Sequence, residues 1–187
     1  MTHPPQLILA SASPRRRELL TQAGLRFDIV PAHIDESRQP SEDPVRYVHR
    51  LALEKAQAIS ALHPGAIVLG ADTTVVLDGE VLHKPADIHE AERMLRALSG
   101  RAHQVHTGIA IVCGSIHRSQ VETTTVTFGM ISEGDLAHYL ASGDSLDKAG
   151  GYGIQGYAAR WITRIEGDFF NVMGLPIAAT VGLLSEI

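Results

Sequence analysis

The chain has 187 residues, 44% hydrophobic and 20% charged, an ordinary balance for one globular domain spanning residues 1–187. Its net charge of −5 and pI near 6.0 argue against wholesale attraction to nucleic acid or membrane, so any phosphate must be bound by a local cluster. A lone cysteine, Cys113, excludes an internal disulfide and points to a reducing, cytoplasmic setting.

No apolar stretch approaches the roughly 18 residues that a membrane span needs. Met1–Gln6 carries two prolines and no basic region, so no signal peptide is expected. Leu7–Ala10 reads as a short buried strand. It feeds Ser11-Ala-Ser-Pro-Arg-Arg-Arg17, where Ser13 suits a helix N-cap, Pro14 the first helical position and Gly24 the exit. Phe27–Val30 reads as a second strand. A helix is expected from about Ser41 to His63, with an apolar stripe of Val45, Val48, Ala52, Ile59 and Leu62. Lys55 falls on that stripe, and a lysine on the buried side of a helix needs a partner or a ligand.

Ala66–Leu69 is an uninterrupted apolar run, as expected of a strand covered on both faces. Gly70-Ala-Asp72-Thr-Thr follows, placing Asp72 directly after that strand. Val75–Leu77 continues extended to Asp78-Gly79, a hairpin turn signal, and Val81–Pro85 returns. Asp87 with Glu90 forms an N-terminal cap for a helix that buries Ala91, Met94, Leu95 and Leu98 and stops at Gly100. His103–Cys113 and Ile116–Phe128 read as long strands joined at Gly114-Ser115, with Cys113 a buried structural thiol. Ser132–Asp135 opens a short helix ending near Gly143, Asp147–Gly156 is a glycine-rich loop, Trp161–Glu166 a strand, and Leu175–Ile187 a closing helix. Hairpins and crossovers together imply an α/β fold with a mixed sheet flanked by helices.

Four groups of residues can carry chemistry. At Ser11–Arg17 a helix start offers unpaired N–H groups, with hydroxyls from Ser11 and Ser13 and guanidinium forks from Arg15 and Arg16. A solvated basic turn is the alternative. Asp72 can hold a divalent metal or act as general base, or be a helix-cap or turn carboxylate. Lys55 and Lys84 can neutralise a polyphosphate, although a lysine such as Lys84 alone is more often a surface residue. Asp35 and Glu36 offer oxygen ligands for Mg²⁺ or Mn²⁺, or a charged surface loop.

Two other patterns point elsewhere. Gly151-Tyr-Gly153-Ile-Gln-Gly156 has dinucleotide-fold spacing, but a polar segment precedes it and no amphipathic helix is expected after it. The ten histidines show no zinc spacing, and His103 and His106 face opposite ways on a strand.

Taken in order, LASASPRRRELL, LALEKAQA, GADTTVVLDGEVLHKP, LSGRAHQVHTGIAI, DKAGGYGIQG and NVMGLPI resemble the Maf family of nucleotide pyrophosphatases along nearly the whole chain. The resemblance implies a Maf/ITPase-like fold with two lobes around a nucleotide-binding cleft, and a cytosolic, often homodimeric protein. It implies hydrolysis of a nucleoside triphosphate to monophosphate and pyrophosphate with Mg²⁺ or Mn²⁺. Asp72 matches the proton acceptor. Arg15, Thr73 and Gln155 match substrate-selecting positions, and Glu36, Lys55 and Lys84 match positions for metal or phosphate, with Glu36 and Asp72 as the metal carboxylates.

Gln155 within DKAGGYGIQG is similar to the branch acting on dTTP and UTP. His83 departs from the family pattern, where glycine usually precedes the lysine, and its bulk would bear on the placement of Lys84. A nucleotide-binding regulator of septum formation and cell division, with little turnover, is the competing reading. A retained base and two lysines speak against it. Nucleic-acid binding through Arg15–Arg17 fits poorly with an acidic chain that lacks an aromatic stacking surface.

Overall fold

The computed structural model describes residues 5–187; Met1–Pro4, part of the segment read above as lacking a signal peptide, lie outside them. Among the described residues seven strands form one mixed sheet in the order β2-β1-β3-β5-β6-β7, with β4 paired to β3. The chain divides into two compact units, and β3, β5 and β6 run through both.

The first unit comprises residues 5–72, 107–122 and 174–187. Here β1 (Leu7–Leu9) pairs in parallel with β2 (Asp28–Ile29) and with β3 (Ile67–Leu77), Ile8 standing opposite Val68. The crossovers are α1 (Pro14–Gln22) and α2 (Pro44–Ser60). Ser13 caps α1, its Oγ accepting from Arg16 N, and Gly24 leaves the helix at φ 74°. Asp43 caps α2 by accepting from Val45 N and Arg46 N. The helix is therefore shorter at both ends than Ser41–His63.

Its buried face also differs from the expected stripe. Tyr47, Val48, Leu51, Ala52, Lys55, Ala56 and Ile59 are inside, while Val45 and Leu62 are exposed. The cause is close backbone approach. A Cβ on Gly70 of β3 would stand 2.1 Å from Ala52 O, and one on Gly108 would stand 2.3 Å from Val48 O. Two glycines thus let α2 lie directly on the sheet, which widens its buried face. Ile8, Ala10, Ala52, Ala56, Ile59, Val68, Ala110 and Val112 fill this core. The unit closes with α6 (Ile177–Leu184).

The second unit comprises residues 73–106 and 123–173. β3 turns at Asp78-Gly79, both at positive φ as a two-residue hairpin loop demands, into antiparallel β4 (Glu80–Leu82). α3 (Ile88–Leu98) is capped by Asp87 and buries Ala91, Met94, Leu95 and Leu98, matching its periodicity. β5 (Ala102–Cys113) and β6 (Ile116–Phe128) follow, then α4 (Glu133–Ser142), which ends at Gly143 with φ 77°.

The glycine-rich loop tightens into short 3₁₀ turns at Ala149–Gly151 and Tyr157–Trp161 before β7 (Ile162–Glu166) pairs antiparallel to β6. A short helix, α5 (Phe169–Met173), precedes Gly174 and was not expected from the sequence. Tyr152, Phe128, Trp161 and Tyr139 join Leu95, Leu98 and Val105 in the core. Cys113 is half-buried at the end of β5, not buried as expected, because the strand ends there in a turn. Among the described residues no helix is long and apolar enough to cross a membrane.

Candidate active site

Asp72 lies inside β3 and not after it: the polar Asp-Thr-Thr stretch continues the ladder without a break. Gly70 and Asp72 share a face of that strand by its two-residue period. Because α2 rests on Gly70, the lysine one turn beyond Ala52 reaches Asp72. Lys55 Nζ stands 2.7 Å from Asp72 Oδ1 and 3.0 Å from Glu36 Oε1. Lys55 and Asp72 are buried, whereas the Glu36 side chain is 55% exposed. The buried lysine read from the helix stripe thus has two carboxylate partners.

Burial pushes the Asp72 carboxyl above the ordinary aspartate range, and Glu36 adds to that rise. Lys55 and Arg16 oppose it, through their charges and through the hydrogen bond from Lys55. The result is a carboxylate with a heightened appetite for a proton, kept in check by two cations.

The basic helix start is built unevenly. Arg16 is buried, its Nε donating to Gly174 O at 2.8 Å and its Nη1 to Ser11 Oγ at 3.1 Å. Desolvation lowers its pKa, with Asp72 and Glu36 pulling the other way. Ser11 Oγ also accepts from Ser13 N at 3.2 Å. Both acceptor sites of that hydroxyl are filled, which leaves its own hydrogen as a donor suited to an anionic oxygen. Arg15 is half-buried and Arg17 exposed. Three consecutive arginines therefore have three different environments, and the solvated-turn reading fits only the last.

Asp35 and Glu36 do not act as a pair. Asp35 Oδ1 accepts from Ser37 N at 2.9 Å, forming a local turn, and hydrogen bonds from the Ser37 side chain and then its backbone hold the Asp35 carboxyl below the usual range. Glu36 alone turns to Lys55. Its backbone is held by α2: Tyr47 OH donates to Glu36 O at 2.9 Å, and Arg50 Nη2 donates to Ser37 O at 3.1 Å. Sequence reasoning passed over Tyr47, Arg50 and Gly70. Only Gly70 carried a usable signal, a glycine inside a strand pattern marking close backbone approach.

Thr73, Lys84 and Gln155 belong to the second unit. Thr73 is half-buried, while Lys84 and Gln155 are exposed. Thr73 shares its strand face with Val75, and Gly150 packs on Val75, where a Cβ would stand 3.1 Å from three of its side-chain atoms. Gly150 N also donates to His83 O at 3.2 Å. The glycine-rich loop carrying Gln155 is thereby fastened beside both Thr73 and Lys84. His83 itself is exposed. After Gly156 comes a 3₁₀ turn, not the α-helix a dinucleotide-binding motif opens.

Residues that could hold a metal are few. Among the described residues no three His, Cys, Asp or Glu side chains gather at one point. Asp72 and Glu36, both on Lys55 Nζ, form an all-oxygen pair. One or two carboxylates completed by phosphate and water are a common setting for Mg²⁺, and the residues present fit that habit.

A family profile described as Maf-like protein matches residues 6–187. A relative from Koribacter versatilis named dTTP/UTP pyrophosphatase is 52% identical, covering 92% of this chain and 89% of its own. One of the same name from Symbiobacterium thermophilum is 53% identical, covering 97% and 93%. Another, from Vibrio cholerae, is 49% identical with 97% of each chain covered. Among solved structures, a HAM1 protein from Coxiella burnetii superposes with a TM-score of 0.57 at 17% identity, over 98% of this chain and 100% of that one, a likeness of fold alone.

Proposed function

This chain belongs to the Maf family, and we propose that it hydrolyses dTTP and UTP to the nucleoside monophosphate and pyrophosphate by attack of water on the α-phosphorus. One observation carries the catalytic assignment: Asp72 is a buried carboxylate of raised pKa held at 2.7 Å by Lys55. A carboxylate raised in this way accepts a proton more readily than an ordinary aspartate does. Asp72 takes a proton from water as the oxygen attacks. The bond from the α-phosphorus to the bridging oxygen breaks, and pyrophosphate leaves with the electron pair.

Lys55, the Ser11 hydroxyl and Arg15 face the negative charge that develops on phosphate oxygens, where preformed donors contribute most. Arg16 is committed to Ser11 and Gly174, so its part is to hold those groups while its charge opposes the rise in the Asp72 pKa. Ser13 contributes as the cap that fixes the turn. Asp72 and Glu36 are the residues that would hold Mg²⁺ or Mn²⁺, and the ion would supply Lewis-acid polarisation of the phosphate. Lys84 contacts phosphate, and Thr73 and Gln155 select the base.

Relatives at about half identity over nearly all of the chain, named for this activity, support the reading. A regulator with little turnover finds no comparable support. Hydrolysis of dTTP in water enriched in ¹⁸O tests the bond cleaved. Label in the monophosphate is expected; label only in pyrophosphate rejects attack at the α-phosphorus.

A further inference from the structure

Residues 30–43, which carry Glu36, form neither helix nor strand. A carboxylate more than half exposed on such a loop would ordinarily sample many positions, because neither backbone nor rotamer is held. Glu36 is instead fastened at three points from one helix. Tyr47 OH holds its carbonyl at 2.9 Å, Arg50 Nη2 holds the next carbonyl at 3.1 Å, and Lys55 Nζ holds its carboxylate at 3.0 Å.

Arg50 is itself locked. Its Nε and Nη2 form a fork with Glu42 at 2.7 and 2.8 Å, its Nη1 reaches Glu54 at 3.1 Å, and its Cζ lies 5.8 Å from the centroid of the Tyr47 ring. Glu42 returns to the loop by accepting from Gln39 N at 3.1 Å. The Tyr47 side chain is buried, and its hydroxyl gives its one hydrogen to the Glu36 carbonyl. Tyr47 and Arg50 stand three residues apart, on adjacent turns of one helix face.

We infer that Tyr47 and Arg50 are positioning residues that pre-form the metal-binding orientation of Glu36 by clamping its loop to α2. The inference rests on the proposed role of Glu36 as a metal carboxylate. A ligand fixed beforehand leaves less ordering to be done when the ion arrives. Partners behind a metal ligand typically govern about 10- to 100-fold of metal affinity. Burial of Tyr47 and the paired charges of Arg50 would also suit a purely architectural clamp, and metal binding separates the two.

The test is Mn²⁺ affinity, read from the free-ion electron paramagnetic resonance signal, in complexes with an α,β-imido analogue of dTTP that cannot be hydrolysed. Tyr47→Phe and Arg50→Lys are each expected to weaken Mn²⁺ about tenfold or more, and Glu36→Gln to weaken it at least as much. Adding Tyr47→Phe to Glu36→Gln should cause no further loss. Wild-type affinity in both Tyr47→Phe and Arg50→Lys, with Glu36→Gln impaired, overturns the inference and leaves the role of Glu36 intact. Wild-type affinity in Glu36→Gln removes that underlying role, and the inference with it. An undiminished loss from Tyr47→Phe in the Glu36→Gln background also overturns it, since Tyr47 would then act by another route.

Discussion

Lys55 Nζ reaches Asp72 Oδ1 at 2.7 Å because the backbone of α2 rests on Gly70, two residues before Asp72 on the same strand face. The two charges are 17 residues apart in sequence, and the close approach at Gly70 sets the spacing of the two backbones that carry them. A glycine chosen for packing therefore fixes the distance between a base and its cation.

Gly70→Ala is the direct consequence. Its Cβ would lie 2.1 Å from Ala52 O and 2.8 Å from Ala56 N, both backbone atoms that cannot turn aside. Overpacking of this kind typically costs about 1–3 kcal/mol, and displacement of α2 should reduce dTTP turnover as well. Gly134→Ala, in α4 with nothing within 4 Å, serves as the control and should be neutral or slightly stabilising. Equal melting temperatures for the two variants would refute the close approach.

Lys55→Met leaves Asp72 buried without its nearest cation. Breaking a buried pair from one side costs about 3–5 kcal/mol, and urea denaturation should show a loss of that order. Lys55→Met with Asp72→Asn removes both charges, so part of the stability should return while turnover does not. A double variant no more stable than Lys55→Met alone would show that the ion pair is not the source of the loss.

His103 gives a pH dependence independent of the site. Burial beside Phe128 and Tyr152, with Nε2 2.6 Å from Tyr152 OH, pushes its pKa down to about 4 from 6.5. The unfolded chain therefore binds more protons between those values. Stability rises with pH through the window and is lost as pH falls from 6.5 towards 4. The full effect is about 3 kcal/mol. Urea midpoints between pH 6.5 and 4.5 should fall less steeply in His103→Gln than in the wild type; parallel slopes would contradict the assignment.

Gln155 is exposed on the glycine-rich loop, so its substitution should leave folding untouched. Gln155→Ala is expected to lower kcat/KM for dTTP and UTP about tenfold or more, the loss of one to two hydrogen bonds, with an unchanged melting temperature. Preserved kcat/KM for both nucleotides would remove it from base selection.

The parts of this protein that could be read from its sequence are those with local signals. Caps at Ser13 and Asp87, the helix start at Ser132–Asp135, the Asp78-Gly79 turn and the apolar face of α3 all appear as read. Lys55 was legible because a lysine interrupts an apolar stripe. What failed depends on tertiary contact. Asp-Thr-Thr reads as following the strand, although β3 continues through it with Asp72 partnered by Lys55 and Thr74 buried. Three identical arginines gave no hint that only Arg16 is buried, since its partners Ser11 and Gly174 come from both ends of the chain. The short helix α5 has no cap signal of its own, and the closing helix spans Ile177–Leu184, shorter at both ends than Leu175–Ile187. Tyr47 and Arg50 bind backbone carbonyls of a loop, and no residue pattern announces such contacts.

The role of Asp72 as proton acceptor is tested most directly by Asp72→Asn, which keeps the shape and removes the base. Turnover of dTTP should fall by about 10²- to 10⁴-fold, while affinity for the α,β-imido analogue stays within about tenfold, roughly 1.4 kcal/mol. Near-normal turnover in that variant would contradict the account.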